Sequence, residues 1–360
     1  EIRERMPRFT SVLFLSGGGS IKQNGVYEQV SKALRGRKAV EFCGIAPNPL
    51  FETCLRAVQI VKKKKIGFIL AVGGGSVLDA AKFIAAGACF KGKDLWKMLQ
   101  EHGSNVKAAL PVGTVLTLPA TGSESNGNSV ISCRATREKL HFSSSHVYPI
   151  FSVLDPETTF SLPTKYIRNG IVDAFVHIME QYLTFPEENV LQDRLAESLI
   201  QTLIEIAPIT LKEPKNYSAR ATFMWAATLS LNNLINCGVS QDWATHMIGH
   251  ELTAFYGLDH AETLAVILPG VWNYKFSAKK EKLEQYGKRV WNITSAKDAI
   301  QKTEEFFHSI QMPTRLFDHK IDAREAAEKI RERFIERHVA FGEHEDVDGE
   351  AAAKIILSRA

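Results

Sequence analysis

The sequence predicts an α/β domain with a parallel sheet in residues 1–160 and an all-helical domain in residues 161–360. Three observations predict it. Short apolar runs alternate with amphipathic stretches up to residue 154, the order that a parallel sheet covered by helices on both faces requires. From about Pro163 the strand pattern stops and long helical periods follow one another. The change falls within residues 155–163, and 360 residues are enough for two domains.

Taken in order, residues 11–15 are an unbroken apolar run and read as a buried strand, followed by Gly17, Gly18 and Gly19. Residues 26–34 have helical spacing, 39–42 form a second strand, 51–65 a helix and 66–72 a third strand. Gly73, Gly74 and Gly75 then lead into a helix over 77–88, with Ser76 as the expected N-cap and Asp79 completing the cap. Residues 114–118 and 151–154 read as later strands. In the second half, helices are expected over 165–184, 189–208, 219–236, 242–256, 262–274, 280–290, 296–310 and 323–337. Pro186, Pro208, Pro214, Pro269 and Pro313 are expected to punctuate them.

Composition excludes several classes. Hydrophobic residues make up 45% and charged residues 23%, the usual balance of a soluble globular chain. A net charge of +4 over this length gives no argument for nucleic-acid binding. The run Lys62 to Lys65 reads as a solvated helix end, where cations face the negative pole of the dipole. Cys43, Cys54, Cys89, Cys133 and Cys237 show no CxxC spacing, which favours reduced thiols in a cytoplasmic protein. No eighteen-residue apolar stretch predicts a membrane span, and the charged opening residues, Glu1 to Met6, do not read as a signal peptide.

Candidate chemistry concentrates in the helical half. Asp173 and His177 are four apart in an apolar helix, as are His246 and His250, so each pair shares a face. Unbroken helix would hold His260 about 21 Å from His246. Gly257 offers a helix end, and Asp259 with Glu262 a capping box for a new helix, so the turn returns His260 towards His246. Asp173, His177, His246 and His260 give one carboxylate and three imidazoles, a donor set for Fe2+ or Zn2+ rather than Mg2+ or Ca2+. His250, one turn beyond His246, faces the same cavity without needing to ligate. Any single histidine here reads as one satisfied by hydrogen bonds; two i,i+4 pairs and a third after a helix break favour a site.

The glycine clusters supply a second kind of site. Gly74, Gly75 and Ser76, between a strand and a helix, let the backbone approach a phosphate that the helix N-terminus favours. Thr117, Leu118, Thr121 and Ser123 leave another strand and supply hydroxyls and amides for pyrophosphate and ribose. A dinucleotide fold commonly grips the adenosine 2′-hydroxyl with a carboxylate after a strand. Gly18, Gly19 and Ser20 stand there instead, with Lys22 nearby, which favours a 2′-phosphate and hence NADP(H) over NAD(H). Tight strand-to-helix turns are the alternative, since neither GxGxxG nor a P-loop is present.

Residues 73–82, 116–124, the Asp173/His177 helix, the stretch from His246 to His260 and residues 16–26 together resemble the iron-containing (group III) alcohol dehydrogenases. The likeness is to the branch of NADPH-dependent butanol dehydrogenases and aldehyde reductases, over nearly the whole chain. It implies a Rossmann-like dinucleotide-binding domain, a helical metal-binding domain and a cleft between them, an architecture shared with dehydroquinate synthase. It also implies Asp173, His177, His246 and His260 as ligands of one divalent ion, His250 on a proton path, Lys139 near the cofactor ribose, and a homodimer. Family members carry a further stretch with an edge strand ahead of the strand at Val12, and this chain is expected to depart from them by starting inside that region.

The activity expected is reversible reduction of a small aldehyde to a primary alcohol with NADP(H) and Fe2+ or Zn2+. Phe175, Ile178, Met179, Trp243, Met247, Ile248 and Phe255 flank the ligand positions and suit an uncharged substrate. The rivals are a dehydroquinate synthase-like or glycerol dehydrogenase-like enzyme on the same architecture, and a metallohydrolase. A hydrolase leaves both glycine clusters unexplained.

Overall fold

The apolar runs of the first half become a parallel sheet in the structure, a computed structural model that describes residues 2–7, 10–185 and 188–360. Glu1 and Pro186 lie outside the described residues. The chain divides into two units, Glu1–Leu162 and Pro163–Ala360.

The first unit contains β1 (Val12–Ser16), β2 (Ala39–Phe42), β3 (Phe68–Gly74), β4 (Val112–Leu118), the antiparallel hairpin β5 (Asn128–Cys133) and β6 (Glu138–Ser143), and β7 (Phe151–Leu154). Its helices are α1 (Ile2–Arg5), α2 (Val26–Ala33), α3 (Phe51–Lys64), α4 (Gly75–Cys89) and α5 (Lys97–Gln100). The sheet order is β2-β1-β3-β4-β7, parallel throughout. The described residues ahead of β1 carry α1. Every position of β1 is buried, as a strand covered on both faces demands, and α2 packs Val26 and Val30 against Val12, Phe14, Phe68 and Leu70. Strand order reverses between β1 and β3, so their carboxyl ends flank the topological switch point where open α/β sheets bind ligands.

The second unit is helical: α6 (Thr164–Tyr182), α7 (Val190–Lys212), α8 (Tyr217–Ser230), α9 (Ala244–Tyr256), α10 (His260–Tyr274), α11 (Phe276–Tyr286), α12 (Ala296–Ser309), α13 (Ala323–Arg337) and α14 (Gly349–Leu357). Two of the punctuating prolines lie inside helices, Pro208 in α7, which was expected to stop there, and Pro269 in α10. A proline frees carbonyls one turn back. Near Pro269 in α10, Arg359 Nε donates to the Val266 carbonyl at 2.9 Å. Ile248, Leu252, Val266, Ile267, Ile330, Phe334, Ile355 and Ile356 form one core shared by α9, α10, α13 and α14. Among the described residues no helix is long and apolar enough to cross a membrane.

Candidate metal centre and glycine-lined sheet edge

Asp173 and His177 occupy buried positions one turn apart on α6. His246 and His250 do the same on α9, which ends at Gly257 in the left-handed conformation (φ 72°). α10 then begins at His260. Asp259 holds the N-cap position, but its side chain makes no cap bond, so the expected capping box does not form. Its carboxylate instead accepts from Lys165 Nζ at 2.8 Å and Asn169 Nδ2 at 3.3 Å, with Glu262 3.4 Å from the same lysine. A cationic partner on α6 outcompetes the local cap, and the start of α10 is thereby tied to α6. Gly249 permits the close approach of α9 and α10, since a Cβ there would meet Thr263 Oγ1 at 2.8 Å.

These contacts gather the candidate ligands. One donor atom each from Asp173, His246 and His260 lies within 4.8 Å of the others. Asp173 Oδ1 is 3.7 Å from both His260 Nε2 and His177 Nδ1. The His177 ring adjoins this group of three, stacked on His246 with centroids 4.6 Å apart. His250 is buried beside them, its ring 5.2 Å from that of His260 and 6.3 Å from that of His246. Atoms bound at about 2.1 Å to one ion lie roughly 3–4 Å apart, so small side-chain movements bring this set into range. The donor chemistry and a buried His177 Nδ1 with no hydrogen-bond partner both fit a divalent ion.

Burial pushes the His177 imidazole down to about 4, against the pull of the Asp173 carboxylate and aided by His246. The ring is therefore neutral at pH 7, the form that binds metal. Unfolded histidine takes its proton near pH 6.5, whereas folded His177 resists until about pH 4. The unfolded chain binds more protons in that window, so stability falls as pH drops through it, by up to about 3 kcal/mol. Urea unfolding of chelator-treated protein should show this decline between pH 6.5 and 4, and His177→Gln should flatten it.

Of the flanking apolar residues, Trp243 is placed against the cluster, its ring centroid 5.2 Å from His246 and 6.2 Å from His177. Its φ of 64° is rare for a bulky side chain. Three of the other flanking residues have partners elsewhere. Phe175 packs on Phe306 and Phe307, Ile248 joins the helical core, and Phe255 lies under Arg333. Sequence reading passed over Glu180, a buried carboxylate that contacts His246. Its spacing, seven residues from Asp173 and three from His177, placed it on the same helix face.

In the first unit the glycine clusters stand at the carboxyl ends of the neighbouring strands β1 and β3, and the 117–123 segment leaves β4 beside them. Gly74, not Ser76, is the N-cap of α4. A Cβ at Gly74 would meet Leu118 Cβ at 3.0 Å, and one at Gly75 would meet Thr121 Oγ1 at 2.6 Å. These glycines therefore seat the helix start directly on the β4 loop, while Ser76 remains partly exposed. Gly18 and Gly19 face open space, and Gly19 needs its glycine for a φ of 112°. Ser20 and Lys22 are exposed, with Lys22 Nζ over the Tyr27 ring at 5.2 Å. Glu41, another residue missed in the sequence, accepts from Tyr27 Oη at 2.7 Å.

Asp79 is not a cap. It accepts from Ser123 Oγ at 2.6 Å and from the Val130 amide at 3.0 Å. Lys82, fully buried, donates to Ser123 Oγ, Asn126 Oδ1 and the Asn128 carbonyl at 2.8–2.9 Å. The Ser123 hydroxyl is thus engaged inside the scaffold, and Thr117 is buried near the end of β4. Lys139 is buried on β6, and its charge favours ionised Asp79.

Residues 1–156 match the iron-containing alcohol dehydrogenase family, and residues 168–359 match the C-terminal part of the Fe-containing alcohol dehydrogenase family. The chain is 50% identical to an NADPH-dependent aldehyde reductase of Escherichia coli, over 98% of this chain and 93% of that protein. It is 42% identical to NADP-dependent alcohol dehydrogenase 3 of Entamoeba histolytica, over 99% and 93% respectively. A crystal structure of NADH-dependent butanol dehydrogenase A from Thermotoga maritima superposes with a TM-score of 0.93 at 34% identity, covering 98% of this chain and 91% of that one.

Proposed function

The chain belongs to the iron-containing alcohol dehydrogenase family, and from that premise we propose that it is an NADP(H)-linked aldehyde reductase interconverting small aldehydes and primary alcohols. Convergence of the Asp173, His246 and His260 donor atoms within 4.8 Å, with His177 stacked alongside, carries the reading. In it, Asp173, His177, His246 and His260 hold one Fe2+ or Zn2+ ion. Gly18, Gly19, Ser20 and Lys22 take the adenosine 2′-phosphate; Gly74 to Ser76, with Thr121, the pyrophosphate. Support for NADP(H) comes from the exposed lysine. The relatives at 50% and 42% identity are named for NADPH and NADP. The enzyme acts as a cytoplasmic homodimer, in keeping with the family resemblance and five free thiols.

The bound ion supplies Lewis acidity to the substrate oxygen, and the coenzyme supplies hydride. The chain's own tasks are to hold His177 neutral, to place Trp243 as an apolar wall and to deliver a proton. A ring nitrogen of His250, buried within 5.2 Å of the His260 ring, is the group for that delivery.

Loss of NADPH absorbance with butanal, with and without chelator, tests the reading. Oxidation that stops on metal removal and returns with Fe2+ or Zn2+ is expected. Chelator-insensitive turnover would remove the ion from the chemistry, and no oxidation with any short aldehyde would favour a lyase. His250→Ala should keep its metal yet turn over about 10²–10⁴-fold more slowly.

A further inference from the structure

We propose that Glu180 is the positioning residue of the metal centre: it fixes the tautomer and direction of the His246 ring so that Nε2 faces Asp173 and His260. The proposal rests on the reading that α6, α9 and α10 hold a divalent ion. Glu180 is on α6, the helix that carries Asp173 and His177, and its carboxylate is 2% exposed. Its two oxygens divide their work. Oε1 accepts the backbone N–H of Thr245 at 2.7 Å and that of His246 at 3.4 Å, and so sits on the unsatisfied amides at the start of α9. Oε2 contacts His246 Nδ1.

Burial and the Asp242 carboxylate raise the Glu180 carboxyl, and the Thr245 and His246 amides pull it back towards the ionised form; in that form it only accepts, so Nδ1 carries the proton and Nε2 keeps its lone pair. Only the latter nitrogen is then able to bind an ion. The anchor is itself held. The Asp242 amide donates to the Glu180 carbonyl at 2.8 Å, and the Asp242 carboxylate accepts the Ala244 amide at 2.8 Å and pairs with buried Lys279 at 2.8 Å. Backbone amides fix one oxygen, and the other can therefore aim the ring. A carboxylate behind a ligating imidazole is the arrangement that both orients the ring and raises its basicity.

The isosteric change Glu180→Gln separates this role from plain packing. A glutamine has one acceptor oxygen where the site needs two. If that oxygen stays on the Thr245 and His246 amides, its NH2 meets Nδ1 and forces the proton onto Nε2. If it turns to Nδ1–H, the NH2 opposes two backbone N–H groups. We expect metal affinity, measured by chelator competition, to fall about 10–100-fold in Glu180→Gln. The thermal midpoint of the metal-free variant should stay close to that of metal-free wild type.

Because a variant can misfold, a second measurement uses the wild type alone. Long-range 15N–1H correlation of the His246 ring in metal-free protein should show the Nδ1–H tautomer. Unchanged affinity in a folded Glu180→Gln variant, or an Nε2–H tautomer in wild type, would overturn the proposal. Failure of wild type to bind Fe2+ or Zn2+ at all is a different result, and it sinks the metal reading itself.

Discussion

His246→Ala is expected to lose most of its bound metal and to reduce aldehydes about 10³-fold more slowly than wild type. His246 has three partners at once. Its ring supplies one of three donor atoms within 4.8 Å, stacks on His177, and meets the buried Glu180 carboxylate. Alanine removes a donor and also leaves that carboxylate without its ring partner. A Lewis acid supplies several kcal/mol to developing charge, and about 4 kcal/mol corresponds to three orders of magnitude in rate. Metal content by plasma emission and NADPH consumption by absorbance read the two effects separately. Stoichiometric metal in the variant would show that His246 is no ligand.

Lys82→Met is expected to have the largest effect on stability, a loss of about 3–5 kcal/mol. The ammonium is fully buried and donates to three acceptors. Burial pulls Lys82 down to about 8, and the Asp79 and Glu124 carboxylates resist that shift. Asp79 is raised by its own burial and held back chiefly by Lys82. Removing the lysine therefore leaves an uncompensated carboxylate inside the first unit. Urea unfolding should report the loss, and Asp79→Asn in the same chain should restore part of it, because the two residues share one network. A Lys82→Met protein within about 1 kcal/mol of wild type would show the network to be dispensable.

Strands buried on both faces were legible because β1 and β3 are near-continuous apolar runs and β4 is a stretch of Val, Leu and Thr. The β5–β6 hairpin was not. Its inward positions on β5 are Ser129, Ile131 and Cys133, and Ser129 Oγ donates to the Asp79 carbonyl, so the buried face carries little hydrophobic contrast. α14 did carry its signal, an Asp348 cap that accepts the Ala351 amide before an Ala/Ile run, and was passed over. In the site, histidine spacing and the Gly257 break placed four of the side chains, since both are local properties. What occupies Asp79, Ser123 and Glu180 depends on residues 44, 41 and 66 positions away, beyond the reach of any periodicity.

The two glycine clusters differ in what surrounds them, and that difference sets which of them tolerates change. Gly74 and Gly75 are pinned by Leu118 and Thr121, so an added side chain there must push Leu118 or the Thr121 side chain aside. Gly18 has nothing within 4 Å, and Ser20 and Lys22 are exposed. Change at Gly18, Ser20 and Lys22 thus leaves the β3–α4 joint untouched, whereas Gly19 is held by its backbone and Ile21 by the core. The relatives' names divide between the two coenzymes, NADPH and NADP for some and NADH for others. On the proposed placement of the coenzyme, these exposed positions give a lineage room to exchange one coenzyme for the other while the rest of the scaffold stays in place.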